Sequence, residues 1–588
     1  MRPVRVVDEW LAKFDRAIGD PSLLDDLFHA DSHWRDVLAL TWRIQTVSGR
    51  IAVVEGLQRR LASAKPAGFR VDTKRTEPRE VTRAGTRAIE AIFRFETAQG
   101  RGSGVVRLLP PANGDAPKAW TLLTTLDELN GVAETIGSAR PKGESYSRDF
   151  RGPNWLDLRA SAAEYADRDP AVLVVGGGQA GLSIAARLTQ LQVDTLIVDR
   201  WPRIGDCWRK RYHALTLHNQ VHVNHLPYMP FPPNWPVYIP KDKVASWFES
   251  YAEAMELNYW TATEFRGAEY DESAGRWTVP LERADGTKRT LRPRHIVLAT
   301  GVSGIANLPE IPTLANFRGK VLHSSEYTDG ESWKGVNAIV IGTGNSGHDI
   351  AQDLHSSGAN VTLVQRNPTL IVNIEPSAQL PYALYDEGPP LEDCDLITMA
   401  TPLKLAWRSH QIFTARAKQL DQPLLDKLER LGFRLDFGEE GTGWQFKYLT
   451  RGGGYYFNVG CSDLIVEGRI GLAQYSDIET FVADGMRMRS GKTIPAELMI
   501  LATGYKGQEA LVRKLFGAEI ADRVGPIWGF DEGQELRNMF MRCAQPGLWF
   551  IAGSFAQCRI YSKFLALQIK AQEEGLLPAG SEGDSQEC

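Results

Sequence analysis

Two short glycine-rich runs carry the clearest chemistry in this sequence: Gly176-Gly-Gly-Gln-Ala-Gly181 and Gly342-Thr-Gly-Asn-Ser-Gly347, both spaced G-x-G-x-x-G. In such a run the first glycine permits a tight turn and the second lets the backbone approach a pyrophosphate. The third lets the following helix pack on the preceding strand, so that its N-terminus faces the phosphates. The context is right at both places. Ala171-Val-Leu-Val-Val precedes the first run and Leu182-Ser-Ile-Ala-Ala-Arg-Leu follows it, while Ala338-Ile-Val-Ile and His348-Asp-Ile-Ala-Gln-Asp-Leu flank the second. After the first run the next apolar strand ends at Asp199-Arg200, where a carboxylate can hold ribose hydroxyls. After the second, that position holds Gln365-Arg366. A carboxylate would repel a 2′-phosphate, whereas an arginine pairs with it. The first site (Gly176, Gly178, Gly181, Asp199, Arg200) is therefore expected to take FAD. The second (Gly342, Gly344, Asn345, Ser346, Gly347, Arg366) is expected to take NADPH, unless Arg366 is only a solvated surface charge.

Two further strands end alike, at His295-Ile-Val-Leu-Ala-Thr-Gly301 and Leu498-Met-Ile-Leu-Ala-Thr-Gly504. Each Ala-Thr-Gly end is a place for the chain to turn beneath a cofactor, which makes Thr503 a cofactor-site candidate. Between the two glycine-rich runs lies Phe317-Arg-Gly-Lys-Val-Leu-His-Ser-Ser-Glu-Tyr327, a short amphipathic strand closing on His323. By itself that histidine reads as a structural linker residue.

Phe317, Gly319, His323 and Tyr327 resemble the F-x-G-x-x-x-H-x-x-x-(F/Y) signature of class B flavin-containing monooxygenases, and Leu501-Ala-Thr-Gly-Tyr505 resembles that class's second motif. Leu226-Pro-Tyr-Met-Pro-Phe-Pro and Ile560-Tyr-Ser-Lys-Phe-Leu-Ala-Leu-Gln-Ile-Lys look most like the plant YUCCA-type enzymes and their microbial relatives. The resemblance implies a chain that uses NADPH and O2 to form a C4a-(hydro)peroxyflavin and oxygenate a small organic substrate. That substrate would be a nitrogen or sulfur nucleophile, or an α-keto acid undergoing oxidative decarboxylation. Baeyer–Villiger oxidation of a ketone is the alternative; enzymes of that kind usually close the signature with Trp-Pro or Trp-Asp, where this chain has Tyr327-Thr328. A non-catalytic ligand-binding or scaffolding flavoprotein is the alternative from another class, and the intact glycines, Asp199 and Arg366 count against it. The same resemblance places Gly205, Trp208, Arg211 and Gln557 around the flavin, with simple packing the other option for Trp208. It makes His218, Asn219 and His323 the candidates for chemistry. His218 suits either a hydrogen bond to an oxygenated flavin or substrate, or a packed loop position.

Such sites need elements to hold them. The chain has 588 residues, 43% of them hydrophobic and 24% charged, enough for about three domains. The fold class expected is α/β: two nested Rossmann-like dinucleotide-binding domains preceded by a small α+β cone-shaped domain. The divisions expected are 1–135; a Gly/Ser/Pro-rich linker, 136–170; a first FAD segment, 171–334; the NADPH domain, 335–495, with a helical insertion near 377–436; and an FAD return segment with a polar tail, 496–588. In 1–135, residues 8–28 have helical apolar spacing, and three β-rich runs suggest an antiparallel sheet curled around helices. That part resembles nuclear-transport-factor-like or polyketide-cyclase-like domains. His29, Trp34, Asp36 and Trp42 could line a pocket there, but the favoured expectation is that Trp34 and Trp42 are core and the domain serves dimerisation or lid packing.

The formal net charge is −5, with no long basic run, so nucleic acid is not an expected partner. Six scattered cysteines without a C-x-x-C pair fit a reducing cytoplasm and neither a redox dithiol nor a zinc ribbon. The polar start and the absence of an 18-residue apolar run suggest neither a signal peptide nor a membrane span, and no metal-ligand cluster stands out.

Overall fold

The structure is a computed structural model that describes residues 2–110, 116–142, 150–302 and 304–577. Its first helix, Pro3–Gly19, buries Val6, Val7, Trp10, Leu11, Phe14 and Ala17, the single stripe expected of helical spacing. It stops well before residue 28. Asp20 precedes Pro21, which disfavours helical backbone at Asp20, and its carboxylate accepts from the Ser22 N–H to start a 3-10 turn. Phe28 then begins a strand, Phe28–Val37.

That strand makes the N-terminal sheet mixed rather than purely antiparallel. It pairs antiparallel with Ile44–Ser48 but parallel with Lys118–Leu129. Gly100–Leu109, Thr86–Glu96 and Ala67–Val71 continue the sheet, and Arg79–Arg83 pairs on Thr86–Glu96. The parallel pair arises because the rest of the domain, including helix Arg50–Ala64, lies between its two strands and carries the chain back to the starting edge. Trp10, Phe14, Phe28 and Phe69 pack ring on ring inside the curl. Strand alternation turns Trp34 and Asp36 inward. Trp34 Nε1 donates to Thr124 Oγ1, which donates to Asp36. Burial pushes the Asp36 carboxyl up to about 6. These two residues are buried in the core, and Trp42 packs against it.

The linker carries the helix Trp155–Glu164, closed by a capping box between Asn154 and Asp157. Two five-stranded parallel sheets follow. The first runs Asn258–Trp260, Thr195–Val198, Val172–Val175, His295–Leu298, Leu548–Phe550. The second runs Lys320–His323, Leu498–Leu501, Asn337–Ile341, Asn360–Gln365, Gly471–Gln474. The second sheet therefore claims strands from both segments expected to belong to the FAD domain. Lys320–His323 and Leu498–Leu501 pair with each other, and Leu498–Leu501 pairs in turn with Asn337–Ile341. The strand that returns to the first sheet is Leu548–Phe550, beside His295–Leu298. The two Ala-Thr-Gly strands thus occupy equivalent places, each next to the strand that leads into a glycine-rich turn. The helical insertion also runs further than expected. It leaves after strand Leu370–Asn373, includes helices Leu391–Met399, Leu403–Arg430 and Gly443–Arg451, and returns at Tyr455–Asn458, which pairs with the strand it left.

The N-terminal domain shares one continuous apolar core with the first sheet and its final helix. Arg35, on the outward face of its strand, donates to both carboxylate oxygens of Glu535 at 2.7 and 2.6 Å. Removing residues 1–135 strips cover from this core, and exposed apolar patches of that kind drive association. The truncated chain is expected to aggregate, as judged by size-exclusion chromatography; a monodisperse, folded product would contradict the shared core. No helix among the described residues is long and apolar enough to cross a membrane.

Candidate active site

The two glycine-rich turns have the same construction. Gly176 and Gly342 have φ of 100° and 119°, values that favour glycine. A Cβ on Gly176 would stand 2.7 Å from the Ala299 carbonyl, and one on Gly342 would strike that of Ala502. Gly181 and Gly347 press on the carbonyls of Gly176 and Gly342 respectively. The middle glycines differ: around Gly178 the nearest atom a Cβ would meet is Cys207 Sγ at 3.7 Å, and around Gly344 it is the Tyr455 carbonyl at 3.8 Å. Each middle glycine is also the N-cap of a 12-residue helix with no side-chain cap. An uncapped helix start beside open space is what a pyrophosphate requires.

Asp199 lies where expected and holds the first turn itself. Its carboxylate accepts from the Gly177 N–H at 2.7 Å, from the Trp201 N–H at 3.0 Å and from the Tyr259 hydroxyl at 3.2 Å. At the second site Gln365 is buried, and its amide pairs with both backbone polar groups of Arg434, at 2.8 and 2.9 Å. That clamp brings Arg434 beside Arg366, whose carbonyl accepts from the Arg434 guanidinium at 2.5 Å. Both arginine side chains are exposed. Arg434 belongs to the insertion, far away in sequence, so spacing around the fingerprint could not reveal it.

A single cavity of about 1700 Å³ joins the sites. Gly176, Gly178, Asp199, Arg200, Trp208 and Arg211 line one part of it, and Asn345 and Ser346 another. A further part is lined by aromatic residues, Tyr382, Trp444, Phe446, Tyr448 and Phe530 among them. Trp208 Nε1 donates to Gln179 Oε1 at 3.3 Å, so it faces the cavity and also ties the first helix. Gln557 closes the capping box of the final helix, Phe555–Glu573, and accepts from the Tyr448 hydroxyl at 3.0 Å. The start of that helix, from Ser554 to Gln557, lies on the cavity wall.

Of the expected site residues, Gly181, Gly205, Gly342, Gly344, Gly347, Arg366, Thr503 and His323 do not line this cavity. Gly205 (φ 86°) is pressed against the backbone of Ala245, so it serves the close packing of helix Lys241–Ala254. Thr503 spends its hydroxyl on the Asn307 carbonyl at 2.6 Å. Its counterpart in the first sheet, Thr300, lines the cavity with a hydroxyl that has no protein partner. His323 is buried, with Nε2 donating to the Gly504 carbonyl at 3.0 Å and Nδ1 accepting from the Ser325 N–H at 3.1 Å. Burial lowers its pKa. It latches two neighbouring strand ends of the second sheet instead of meeting a substrate.

His218 and Asn219 do line the cavity. The His218 ring packs on Phe457 with centroids 4.6 Å apart, and burial pushes its imidazole down to about 4, which leaves it neutral at pH 7. No group of three or more His, Cys, Asp or Glu side chains placed to hold a metal ion occurs among the described residues.

Residues 169–385 match the family model described as flavin-binding monooxygenase-like. An indole-3-pyruvate monooxygenase, YUCCA1, of Oryza sativa subsp. japonica is 30% identical over 340 residues, which cover 57% of this chain and 77% of that protein. The chain belongs to the flavin-binding monooxygenase-like family. A probable indole-3-pyruvate monooxygenase of Arabidopsis thaliana, YUCCA4, is likewise 30% identical, over 57% of this chain and 76% of its own length. Among solved structures, the cyclohexanone monooxygenase of Rhodococcus sp. Phi1 bound to NADP+ superposes with a TM-score of 0.50 at 16% identity, covering 69% of this chain and 84% of that one; this likeness concerns the fold.

In this flavin monooxygenase the signature residues are architectural. Phe317 is buried against Gly319, and the Tyr327 hydroxyl donates to Asp353 in the second phosphate helix at 2.7 Å. The signature binds the edge strand of the second sheet to the helix beside it. Replacing His323 with leucine removes the donor to the Gly504 carbonyl and the acceptor of the Ser325 N–H, at a cost of about 1 kcal/mol. A lower melting temperature with the flavin retained is the expected outcome, and an unchanged melt would refute the latch.

Proposed function

We propose that this monooxygenase binds FAD at the first turn and NADPH at the second, and uses O2 to oxygenate a small organic substrate in the aromatic part of the cavity. The observation that carries this reading is the single cavity lined by both phosphate turns and by an aromatic chamber. Bound FAD supplies the redox chemistry, accepting a hydride from NADPH and activating O2.

The chain's own residues bind, orient and exclude water. Gly176, Gly178 and Gly181 cradle the FAD pyrophosphate, and Asp199 and Arg200 stand at its adenosine half. Trp208, Arg211 and the start of the Gln557 helix face its other half, where a helix N-terminus favours negative charge. Gly342, Gly344, Asn345, Ser346 and Gly347 take the NADPH pyrophosphate. Arg366, joined by Arg434, meets the 2′-phosphate. His218, neutral and next to Asn219, offers hydrogen bonds at the substrate end without carrying a charge. The polar and aromatic walls keep bulk water from the reacting centre.

The similarity to indole-3-pyruvate monooxygenases supports oxygenation of a heteroatom or oxidative decarboxylation of an α-keto acid. The test is stopped-flow reoxidation of the NADPH-reduced protein by O2, run with sulfide, amine, ketone and α-keto acid probes. One class should accelerate reoxidation and yield oxygenated product. Purified protein without flavin, or NADPH oxidation that never yields oxygenated product, would refute the proposal.

A further inference from the structure

We propose that the N-terminal domain forms the outer wall and mouth of the substrate chamber, and that this mouth sets the size of the substrate admitted. The proposal deepens the monooxygenase reading and rests on it.

The domain grips one face of the insertion. Thr76 Oγ1 donates to Asp393 at 2.6 Å, and Arg75 pairs with the same carboxylate at 2.9 Å. Arg79 and Arg83 pair with Glu387 at 2.8 and 2.9 Å. Arg107 donates to the carbonyls of Ile397 and Ala400 at 3.0 and 2.7 Å, and Arg35 to that of Met399 at 3.0 Å. Ile397, Thr398 and Met399 in turn line the cavity. The segment that contacts the chamber is therefore held in place by the N-terminal sheet, through bonds that span about three hundred residues of sequence or more.

The same domain reaches the cavity directly. Strands Arg79–Arg83 and Thr86–Glu96 are joined by a two-residue turn at Ala84 and Gly85, with φ of 49° and 74°, the geometry of a tight hairpin. Its tip rests on helix Leu403–Arg430, where a Cβ on Gly85 would stand 3.2 Å from Ile412 Cδ1. Thr82, Gly85 and Ile412 all line the cavity and are all exposed. Strand alternation puts Thr82 on the face of Glu80, whose side chain is 62% exposed and pairs at the surface with Arg87. The cavity thus reaches solvent beside the contact of the hairpin tip with Ile412.

The chemistry of this wall indicates what passes. Arg35 is paired with Glu535, Arg107 with Glu90, and Arg83 with both Glu90 and Glu387. Arg79 shares Glu90 and Glu387 with Arg83, and Glu90 with Arg107, so the cluster keeps a net positive charge. Arg408 stands at the hairpin tip, 3.6 Å from where a Cβ on Gly85 would be. The wall accepts a substrate carboxylate and selects by size. The rings of Trp444, Phe446 and Phe530 beyond offer apolar faces.

The experiment uses the full-length, flavin-loaded protein with saturating NADP+ or NADPH to fill the nucleotide cleft. Thr82→Trp narrows the mouth and Ile412→Ala widens it. The ratio of kcat/KM for diphenyl sulfide to that for methyl phenyl sulfide should fall about tenfold in T82W and rise severalfold in I412A. Acrylamide quenching of flavin fluorescence in the NADP+ complex reads the same opening without turnover, and should weaken in T82W and strengthen in I412A. Ratios and quenching unchanged in both variants would overturn the mouth. That result leaves the monooxygenase reading standing, whereas protein that purifies without flavin would end both.

Discussion

Gly178→Asp should yield a folded, colourless protein. A Cβ at this position finds its nearest neighbour, Cys207 Sγ, at 3.7 Å, so the polypeptide itself accepts a side chain. An aspartate at the N-cap of helix Gln179–Gln190 would cap the free N–H groups of its first turn and favour the helix by a few tenths of a kcal/mol over glycine. The same carboxylate then occupies the ground a pyrophosphate needs and repels it. At about 4 Å, like charges near a protein surface cost about 4 kcal/mol, or on the order of a thousandfold in affinity. The ratio of flavin absorbance to protein absorbance should therefore collapse while circular dichroism and the thermal melt are kept. Gly344→Asp is the matched control: flavin should remain, and reduction by NADPH should fail. Gly181→Ala separates site from scaffold, because its Cβ strikes the Gly176 carbonyl and the turn itself must distort. A yellow, fully loaded Gly178→Asp protein would refute the FAD assignment.

What was legible in the sequence was local. Each glycine-rich turn needs only the strand before it and the helix after it, so spacing locates both turns and the strand ends beside Asp199 and Arg366. The motifs also marked His323 and Thr503, but a motif supplies an address and not a job. His323 proves to be a latch on Gly504, and Thr503 bonds to Asn307, while Thr300, the same residue in the sister strand, faces the cavity. Sheet membership misled for a related reason. Lys320–His323 and Leu498–Leu501 lie far apart in sequence and pair with each other; no local pattern reports such a pairing. Docking of the N-terminal domain was the least legible feature, since Arg35 and Glu535 are 500 residues apart and each alone resembles a solvated charge. The inward alternation around Trp34 and Asp36 disclosed the domain's core, whereas its outer face acquires meaning only from the insertion it holds.

Arg366→Ala should turn the protein away from NADPH without harming its use of NADH. Gln365 stands where a ribose-binding acid would stand, and its amide is spent on the backbone of Arg434. The strand end therefore presents two exposed guanidiniums and no side-chain carboxylate of its own. Each hydrogen bond from an arginine to a phosphate contributes about 1.5–3 kcal/mol, so losing one should raise the KM for NADPH by about ten- to a hundredfold. NADH has no 2′-phosphate and should be nearly unaffected. Arg434→Ala should act in the same direction, and the double variant should approach equal use of the two nucleotides. Coupling between the two changes is expected because both side chains address one phosphate. The measurement is kcat/KM for flavin reduction by NADPH over that by NADH. The slope of NADPH affinity against salt should also flatten in each variant, since fewer phosphate contacts leave less charge to screen. A ratio unchanged in the double variant would place recognition of the 2′-phosphate elsewhere. A ratio changed only by Arg434→Ala would make the insertion, and not the second βαβ unit, the reader of the nucleotide.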